Sequence, residues 1–382
     1  MNMKTIKSQL LQLQKNAFGW RTNRKIVVFE SDDWGSIRMP SKKVYNFLLE
    51  AGIRVDKCPY NTYDSLASEE DLSMLFNVLL SFRDREGNHP VFTANSVVAN
   101  PDFLKIKENN FKEYHYELFT ETLKRYPGCE NSFNLWKQGI NQKVFHPQFH
   151  GREHLNITRW LKYLQEGSKE TLLAFDHSLF GLSTNITNEK RKSYMAALDF
   201  DNIEELEFQK NLLADGLNRF ETLFGYRSAS FIAPNGTWHT QLEEALSNQG
   251  VKYLQGSFGH KEPGILGKRV LKHNLGSSNS YGQIYLFRNV LFEPSSDSNK
   301  DWVKSSLKDV SMAFTFRKPA IFSTHRVNYM GCLEPNNRKT NLKKLELLLK
   351  EIIKRWPDVE FMTTDQLGDL IRKEKGLEWG KK

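Results

Sequence analysis

Cysteine is scarce in this sequence, with three residues among 382. Cys58, Cys129 and Cys332 lie far apart and show none of the spacings of cysteine metal sites, and their odd number does not suggest a disulfide framework. This pattern favours a reducing compartment, and we therefore expect a cytoplasmic protein.

Long apolar runs are also missing. No stretch approaches the roughly 20 apolar residues that a membrane-spanning helix needs. Residues 1–20 lack the apolar core and the small-residue cleavage site of a secretory signal. The sequence therefore predicts neither a transmembrane segment nor export. Internal repeats and a proline-rich linker are absent as well, which favours one large domain with insertions.

Acidic residues are outnumbered by basic ones, 45 against 54, and the net charge is +9. The basic residues are spread along the chain without a dense run or a nucleic-acid motif, so we expect no nucleic-acid partner. An anionic substrate or a peripheral contact with an acidic membrane surface fits the charge. A solvated basic surface is the simplest explanation.

Short apolar runs alternate with amphipathic helical patterns along most of the chain. The predicted strands lie near residues 26–29, 90–95, 143–146, 228–233, 251–255, 284–292, 320–325 and 360–362. The predicted helices lie near residues 41–52, 68–79, 157–167, 204–224, 240–249, 302–314, 342–356 and 365–373. This alternation predicts a parallel sheet or barrel.

The predicted domain organisation has three parts. Residues 1–24 form an N-terminal region whose helical pattern over residues 3–18 predicts a helix packed on the domain or lying on a membrane surface. Residues 25–375 form the barrel. Insertions near residues 101–143 and 256–283 interrupt it. The first is expected either to shape a substrate entrance or to be an ordinary outer helix with a long loop, and the second is expected to be a long functional or covering loop.

Two adjacent aspartates, Asp32 and Asp33, follow the first predicted strand. Carboxylates at the C-terminal end of a buried strand are where α/β enzymes place their chemistry. Two carboxylates in one buried pocket are costly unless a cation lies between them or one of them is protonated. This stretch therefore predicts a metal site or an acid–base pair.

Three histidines are concentrated in nine residues after another strand. On a helical turn, the spacing of His150 and His154 places both imidazoles on one side, within reach of one metal ion. His146 and His150 form a rival pair, but His146 lies earlier in the strand and precedes Pro147. With Asp33 as a third ligand, the later pair would complete a catalytic metal site.

The order of these motifs resembles that of the NodB-type polysaccharide deacetylases, also called carbohydrate esterase family 4. That family has an Asp-Asp pair, a His-x-x-x-His motif, a proline-containing turn, an Asp-Trp element and a last strand ending in His. The counterparts, spread over residues 25–370, are Asp32-Asp33, His150 to His154, Ala233-Pro234-Asn235-Gly236, Asp301-Trp302 and Ser323-Thr324-His325.

The resemblance implies a distorted (β/α) barrel and a role for each matching residue. It implies that a divalent metal ion, with zinc expected first and cobalt, nickel or manganese as alternatives, is held by Asp33, His150 and His154. Asp32 would be the general base, and His325 the general acid that protonates the leaving amine. The implied substrate-binding residues, with backbone N–H groups near Asn235 in the oxyanion site, are Pro234, Asn235, Gly236 and Trp302.

Three residues depart from the family pattern. Trp34 stands between the aspartate pair and Gly35, Ile232 takes the place of an arginine, and Asn235 takes the place of an aromatic residue. Arg288 and Arg326 are candidates to replace the missing cation. These departures concern the oxyanion side and the substrate pocket, whereas the expected metal ligands are all present.

The resemblance implies a metal-dependent amidohydrolase acting on carbon–nitrogen bonds other than peptide bonds. The expected reaction is removal of N-acetyl groups from a sugar or glycan precursor in surface polysaccharide biosynthesis. Without an export signal, the expected substrate is a cytoplasmic nucleotide- or lipid-linked sugar. Two alternatives stay open: hydrolysis of another C–N bond or an O-acetyl ester on the same scaffold, and glycan binding by a catalytically altered site.

Overall fold

The structure, a computed structural model, describes residues 13–377. The strands are β1 (Lys25–Trp34), β2 (Phe92–Ser96), β3 (Ala99–Pro101), β4 (Tyr116–Leu118), β5 (Phe145–Phe149), β6 (Ser230–Phe231), β7 (Tyr253–Gly256), β8 (Gly259–Glu262), β9 (Arg269–Lys272), β10 (Ile284–Phe287), β11 (Val290–Leu291), β12 (Ala320–His325) and β13 (Val359–Met362). Residues 13–17 are helical, and the rest of the predicted N-terminal helix lies outside the described residues.

The helices surround the strands. They are α1 (Lys42–Glu50), α2 (Pro59–Tyr63), α3 (Glu69–Leu80), α4 (Phe103–Glu108), α5 (Phe119–Leu123), α6 (Ser132–Asn141), α7 (Ile157–Gln165), α8 (Lys169–Asp176), α9 (Glu205–Phe224), α10 (Leu242–Asn248), α11 (Trp302–Thr315), α12 (Pro335–Arg355) and α13 (Thr364–Glu374). Short 3-10 turns cover Val55–Lys57, Pro234–Gly236 and Arg326–Tyr329. No helix within residues 13–377 is long and apolar enough to cross a membrane.

Nine parallel strands form the central sheet of the described chain, in the order β10-β7-β6-β5-β2-β1-β12-β11, with β13 paired to the start of β1. The two end strands, β10 and β11, are separated in sequence only by Arg288 and Asn289. Arg288 N–H donates to O of Gly256, the last residue of β7, and Asn289 N–H donates to Ile321 O in β12. This segment therefore curls the sheet into a distorted (β/α) barrel, as the sequence predicts.

The central strand β1 is buried on both faces, which explains its continuous apolar run. Alternate residues face two different cores because successive side chains of a strand point in opposite directions. Val27 and Phe29 belong to the large cluster beneath the outer helices, whereas Ile26 and Val28 pack with residues of β10, β12 and α13. The acidic end of β1 is thus held from both sides.

Capping residues fix several helix ends. Ser41 accepts a hydrogen bond from Val44 N–H at the start of α1, and Ser68 forms a capping box with Asp71 at the start of α3. Gly225, with φ of 78°, ends α9 in the left-handed conformation.

Segments expected to be irregular contain short elements instead. Residues 54–67 hold a 3-10 turn and α2, residues 168–200 hold α8, and residues 256–283 hold the antiparallel hairpin of β8 and β9. Helix α12 also begins before Leu342, at Pro335. These elements are short or polar, so their apolar periodicity is too weak to be recognised in the sequence.

Candidate active site

Asp32 and Asp33 both line one cavity, although neighbouring residues of a regular strand would face opposite sides. The register between β1 and β2 shifts between Ser31 and Trp34, and Asp33 has a φ of 75°. This irregularity turns both carboxylates to the same side. Trp34, the residue that departs from the family pattern, is fully buried and packs edge-on against Phe145 at 4.8 Å.

Each aspartate has its own guanidinium partner. Arg288 donates to both carboxylate oxygens of Asp32, each at 2.6 Å. Arg38 Nη2 donates to Asp33 Oδ2 at 2.9 Å. Burial raises the pKa of a carboxyl group, but these arginines and nearby histidines hold the pKa of both aspartates below the usual range. The cation expected beside the pair is therefore supplied in part by the protein itself.

Arg288 is the one of the two proposed replacement cations that reaches this site. Its Nε also donates to the buried Glu30 at 2.7 Å, so one guanidinium serves two carboxylates of β1. Arg326 instead donates to both oxygens of Asp64, at 3.0 Å each, and does not line the cavity. Asn95, at the end of β2, adds a further donor to Asp32 Oδ1 at 2.8 Å.

His150 and His154 are brought together by a loop, and the expectation of a helical turn is wrong. Residues 150–156 are not helical, and Gly151 has a φ of 107° that permits the tight loop. The two rings lie 5.1 Å apart and both are buried. His146 stays in β5, where it contacts Asp365 at 3.1 Å, so the rival pair does not form.

Donor atoms of Asp33, His150 and His154 all lie within 4.8 Å of one another. Asp33 Oδ1 is 3.1 Å from His154 Nε2 and 3.5 Å from His150 Nε2. His150 Nδ1 lies 2.9 Å from Ile232 O, which fixes the ring and leaves Nε2 buried without a hydrogen-bond partner. One carboxylate oxygen and two imidazole nitrogens form the donor set of a catalytic zinc site, so these residues fit a divalent metal ion.

His325, the last residue of β12, is paired in register with Asp32. Its Nε2 is 3.7 Å from Asp32 Oδ2, and its Nδ1 contacts Glu293 Oε1 at 2.5 Å. Burial by itself would lower the pKa of this histidine, but the ion pair with Glu293 and the charge of Asp32 raise it to about 9. His325 is therefore protonated at neutral pH and can donate a proton from Nε2.

The cavity around these residues has a volume of about 780 Å³. Part of its wall comes from residues 181–195, a segment that gave no functional signal in the sequence. The insertion at residues 101–143 contributes no wall residue within the described chain. The hairpin of β8 and β9 contributes Lys261, and the helical segment at residues 13–17 contributes Lys15.

The predicted substrate-binding residues have different positions. Asn235 and Gly236 line the cavity, whereas Pro234 is buried and does not line it. Trp302 is only 4% exposed, does not line the cavity and donates its indole N–H to Asp297 O at 2.8 Å. Its expected contact with substrate is therefore wrong, because the side chain belongs to the core. Asp301 caps helix α11 through Lys304 N–H at 3.0 Å.

Sequence reasoning missed the partners that hold the candidate residues. Asp33 is held by Arg38, and Asp32 by Asn95. His325 is held by Glu293. Asn95 and Glu293 each follow or end a predicted strand, so the strand-end signal that found the aspartates could have found them too. Arg38 lies in a loop before α1, and no local pattern marks it.

No protein-family model matches this chain, and no curated protein matches it. The peptidoglycan deacetylase PdaC of Bacillus subtilis is similar with a TM-score of 0.36 and 10% identity, over 93% of this chain and 94% of that one. The allantoinase Puue is similar with a TM-score of 0.46 and 12% identity, over 93% of this chain and 92% of that one. A CE4 family pseudoenzyme from Bacillus anthracis is similar with a TM-score of 0.37 and 9% identity, over 91% of this chain and 66% of that one.

At these TM-scores the likenesses carry no conclusion about this chain. The architecture is set by the parallel sheet, the outer helices and the closing segment between β10 and β11. The chain thus has the distorted (β/α) barrel that its sequence predicts.

Proposed function

We propose that this chain is a metal-dependent hydrolase that removes N-acetyl groups from a sugar or glycan precursor, acting in the cytoplasm in surface polysaccharide biosynthesis. One observation carries the proposal. The metal-donor group of Asp33, His150 and His154 opens into the same cavity as the Asp32–His325 pair. Amide hydrolysis needs an activated water, a stabilised oxyanion and a proton for the leaving nitrogen, and this cavity offers groups for all three.

In the proposed mechanism, Asp33, His150 and His154 would hold a divalent metal ion, which would supply Lewis-acid activation of water and of the acetyl carbonyl. Asp32 accepts the proton of the attacking water. Arg288 and Asn95 fix its carboxylate, and the charge of Arg288 keeps its pKa low against the effect of burial, so it holds that proton only transiently.

The leaving nitrogen receives its proton from His325 Nε2. Glu293 orients the ring at Nδ1 and favours the protonated form. A backbone N–H near Asn235 donates to the developing oxyanion. Asn235 and Gly236 line the cavity, but Gly236 N–H already donates to Ala233 O, so the donor is another N–H of this turn.

Metal content tests the first part of the proposal. We expect purified wild-type protein to contain about one divalent ion per chain, and the Asp33→Asn and His150→Ala variants to contain almost none. His115→Ala is the matched control, because this histidine lies outside the cavity and close to solvent. A metal-free wild type that also fails to take up added zinc would reject the proposal.

Acetate release tests the reaction. N-acetylated sugars, nucleotide-linked sugars, O-acetylated sugars and cyclic imides form the substrate panel. We expect acetate from at least one N-acetylated sugar, and a loss of about 100-fold or more in kcat for Asp32→Asn and His325→Ala. Activity confined to O-acetyl esters or to cyclic imides would overturn the N-deacetylase assignment. A metal-loaded protein that binds sugars but hydrolyses nothing would favour glycan binding.

A further inference from the structure

The hairpin of β8 and β9 carries an apolar turn that projects into solvent. Ile265 and Leu266 are 69% and 103% exposed, and Val270 on the returning strand is 60% exposed. We call Ile265 and Leu266 the hairpin tip. Exposed apolar residues are common singly, but adjacent ones at the end of a projecting hairpin call for an explanation.

The base of this hairpin is fixed by contacts with the rest of the domain. The tip is therefore held in an exposed position. The ring of His260 stacks on Trp238 with centroids 3.4 Å apart, and its Nε2 lies 2.7 Å from Trp238 O. Glu262 is buried and accepts hydrogen bonds from the backbone and hydroxyl of Thr240. Residues 265–270 are all exposed beyond this anchored base.

Cations surround the tip. Lys261, Lys268, Arg269 and Lys272 lie in β8, β9 and the turn between them, whereas Glu262 is the only acidic residue from 259 to 272. Arg269 pairs with Glu262, and Lys268 pairs with Asp199 at 3.2 Å, so Lys261 and Lys272 leave the hairpin together with Asp199 at a net charge of +2. Apolar side chains flanked by lysine and arginine are typical of segments that contact anionic lipid surfaces.

We infer that the β8–β9 hairpin docks the protein onto an anionic membrane surface, with Ile265 and Leu266 entering the headgroup layer. A stable protein–protein interface needs about 800 Å² from each partner, far more than a two-residue tip and one strand residue offer. A lipid headgroup layer needs only a small apolar wedge and nearby cations. The association is weak and reversible, because it combines two apolar side chains with a few charges.

Docking would bring the candidate active site close to the bilayer. Lys261 lines the cavity, and Ile265 lies only four positions further along the chain. An extended chain spans at most about 3.5 Å per residue, so these two positions are within roughly 14 Å of each other. The backbone of Lys261 is also bridged to Thr237, next to the cavity-lining Gly236.

Vesicle flotation with the full chain tests this inference. The probes are vesicles of phosphatidylcholine alone and of phosphatidylcholine mixed with phosphatidylglycerol. We expect wild-type protein to float only with the mixed vesicles, and the Ile265→Ser/Leu266→Ser variant to bind them about tenfold or more weakly. Added salt should weaken the binding of the wild type, because the lysines and arginines contribute to it.

The matched control removes exposed apolar surface elsewhere. Leu104 in helix α4 is 76% exposed, and Leu347 in helix α12 is 49% exposed. Both lie outside the hairpin, so the double variant Leu104→Ser/Leu347→Ser should float like the wild type. No flotation of the wild type, or equal flotation of the tip variant, would overturn the inference. So would self-association in sedimentation velocity that the tip variant abolishes, since the tip would then bind a second copy. Flotation needs neither metal nor substrate, so its failure leaves the proposed hydrolysis untouched.

Discussion

Glu293 is the neighbour that contributes most to keeping His325 protonated. Glu293 Oε1 contacts His325 Nδ1, and Asn328 donates to the other oxygen of Glu293 at 2.7 Å. We predict that Glu293→Gln lowers the pKa of His325 from about 9 by one unit or more, because burial then acts without the ion pair. The raised pKa keeps His325 protonated below about pH 9, so in the variant the protonated form is lost at a lower pH.

NMR titration of the His325 ring measures this shift without reference to activity. The basic limb of the pH profile for acetate release should move to lower pH in the same variant. Glu113→Gln, a change at an exposed glutamate, is the control. If His325 titrates identically in Glu293→Gln and wild type, the ion pair does not set its charge.

Arg288 is the residue on which two buried carboxylates depend. It pairs with Glu30 at 2.7 Å and with Asp32 at 2.6 Å, and all three side chains are buried. We predict that Arg288→Met lowers the free energy of unfolding by about 3–5 kcal/mol, since it leaves buried charges unpaired. Urea unfolding measures the change.

Arg355→Met is the control variant for Arg288→Met in the unfolding measurement. Arg355 is half-exposed and pairs with Glu351 along helix α12, so its removal should cost roughly 0.5 kcal/mol or less. Equal losses in the two variants would mean that the buried network contributes no more than a surface pair.

Helix α9 supports the histidine loop through a single glycine. A Cβ on Gly216 would lie 2.7 Å from Phe149 Cζ and 3.0 Å from Arg152 Cβ, and these two residues flank His150. We predict that Gly216→Ala destabilises the fold by about 1–3 kcal/mol through overpacking, although alanine favours helices by about 1 kcal/mol. Zinc affinity should fall as well, because the clash displaces the loop.

Asn218→Ala on the same helix separates these effects, because Asn218 is exposed and only the gain in helix propensity remains. Urea unfolding and zinc titration of both variants are the measurements. A Gly216→Ala protein that matches Asn218→Ala in both would show that the close approach of α9 to β5 does not position the metal ligands.

At the scale of the whole molecule, the sequence predicted those site residues that a nearby pattern marks, such as a polar residue at the end of an apolar run. Asp32 and His325 each end an apolar run, so the parallel barrel places them together. Their partners could not be predicted in this way, because Arg288 lies 256 residues from Asp32 and its contact depends on how the barrel closes. The same limit applies to Trp302, whose position beside Asp301 matched a motif while its side chain packs in the core.

The metal donors connect β1 to the loop after β5, so the ion should stabilise the whole fold. A ligand that binds only the native state at about 100 times its Kd adds about 2.7 kcal/mol. We predict that zinc raises the Tm of metal-free protein by roughly 5 °C, and that EDTA reverses the shift. His150→Ala should lose the response, whereas His115→Ala should keep it.

Calcium is the control ion for the Tm measurement. It prefers six to eight oxygen ligands, whereas two of the three donors here are imidazole nitrogens. Calcium should therefore leave the Tm unchanged at concentrations where zinc acts. An equal shift with both ions, or a zinc response that survives His150→Ala, would place the stabilising ion elsewhere in the chain. A zinc response confined to proteins with Asp33, His150 and His154 intact would tie metal binding to the same strand ends that hold Asp32 and His325.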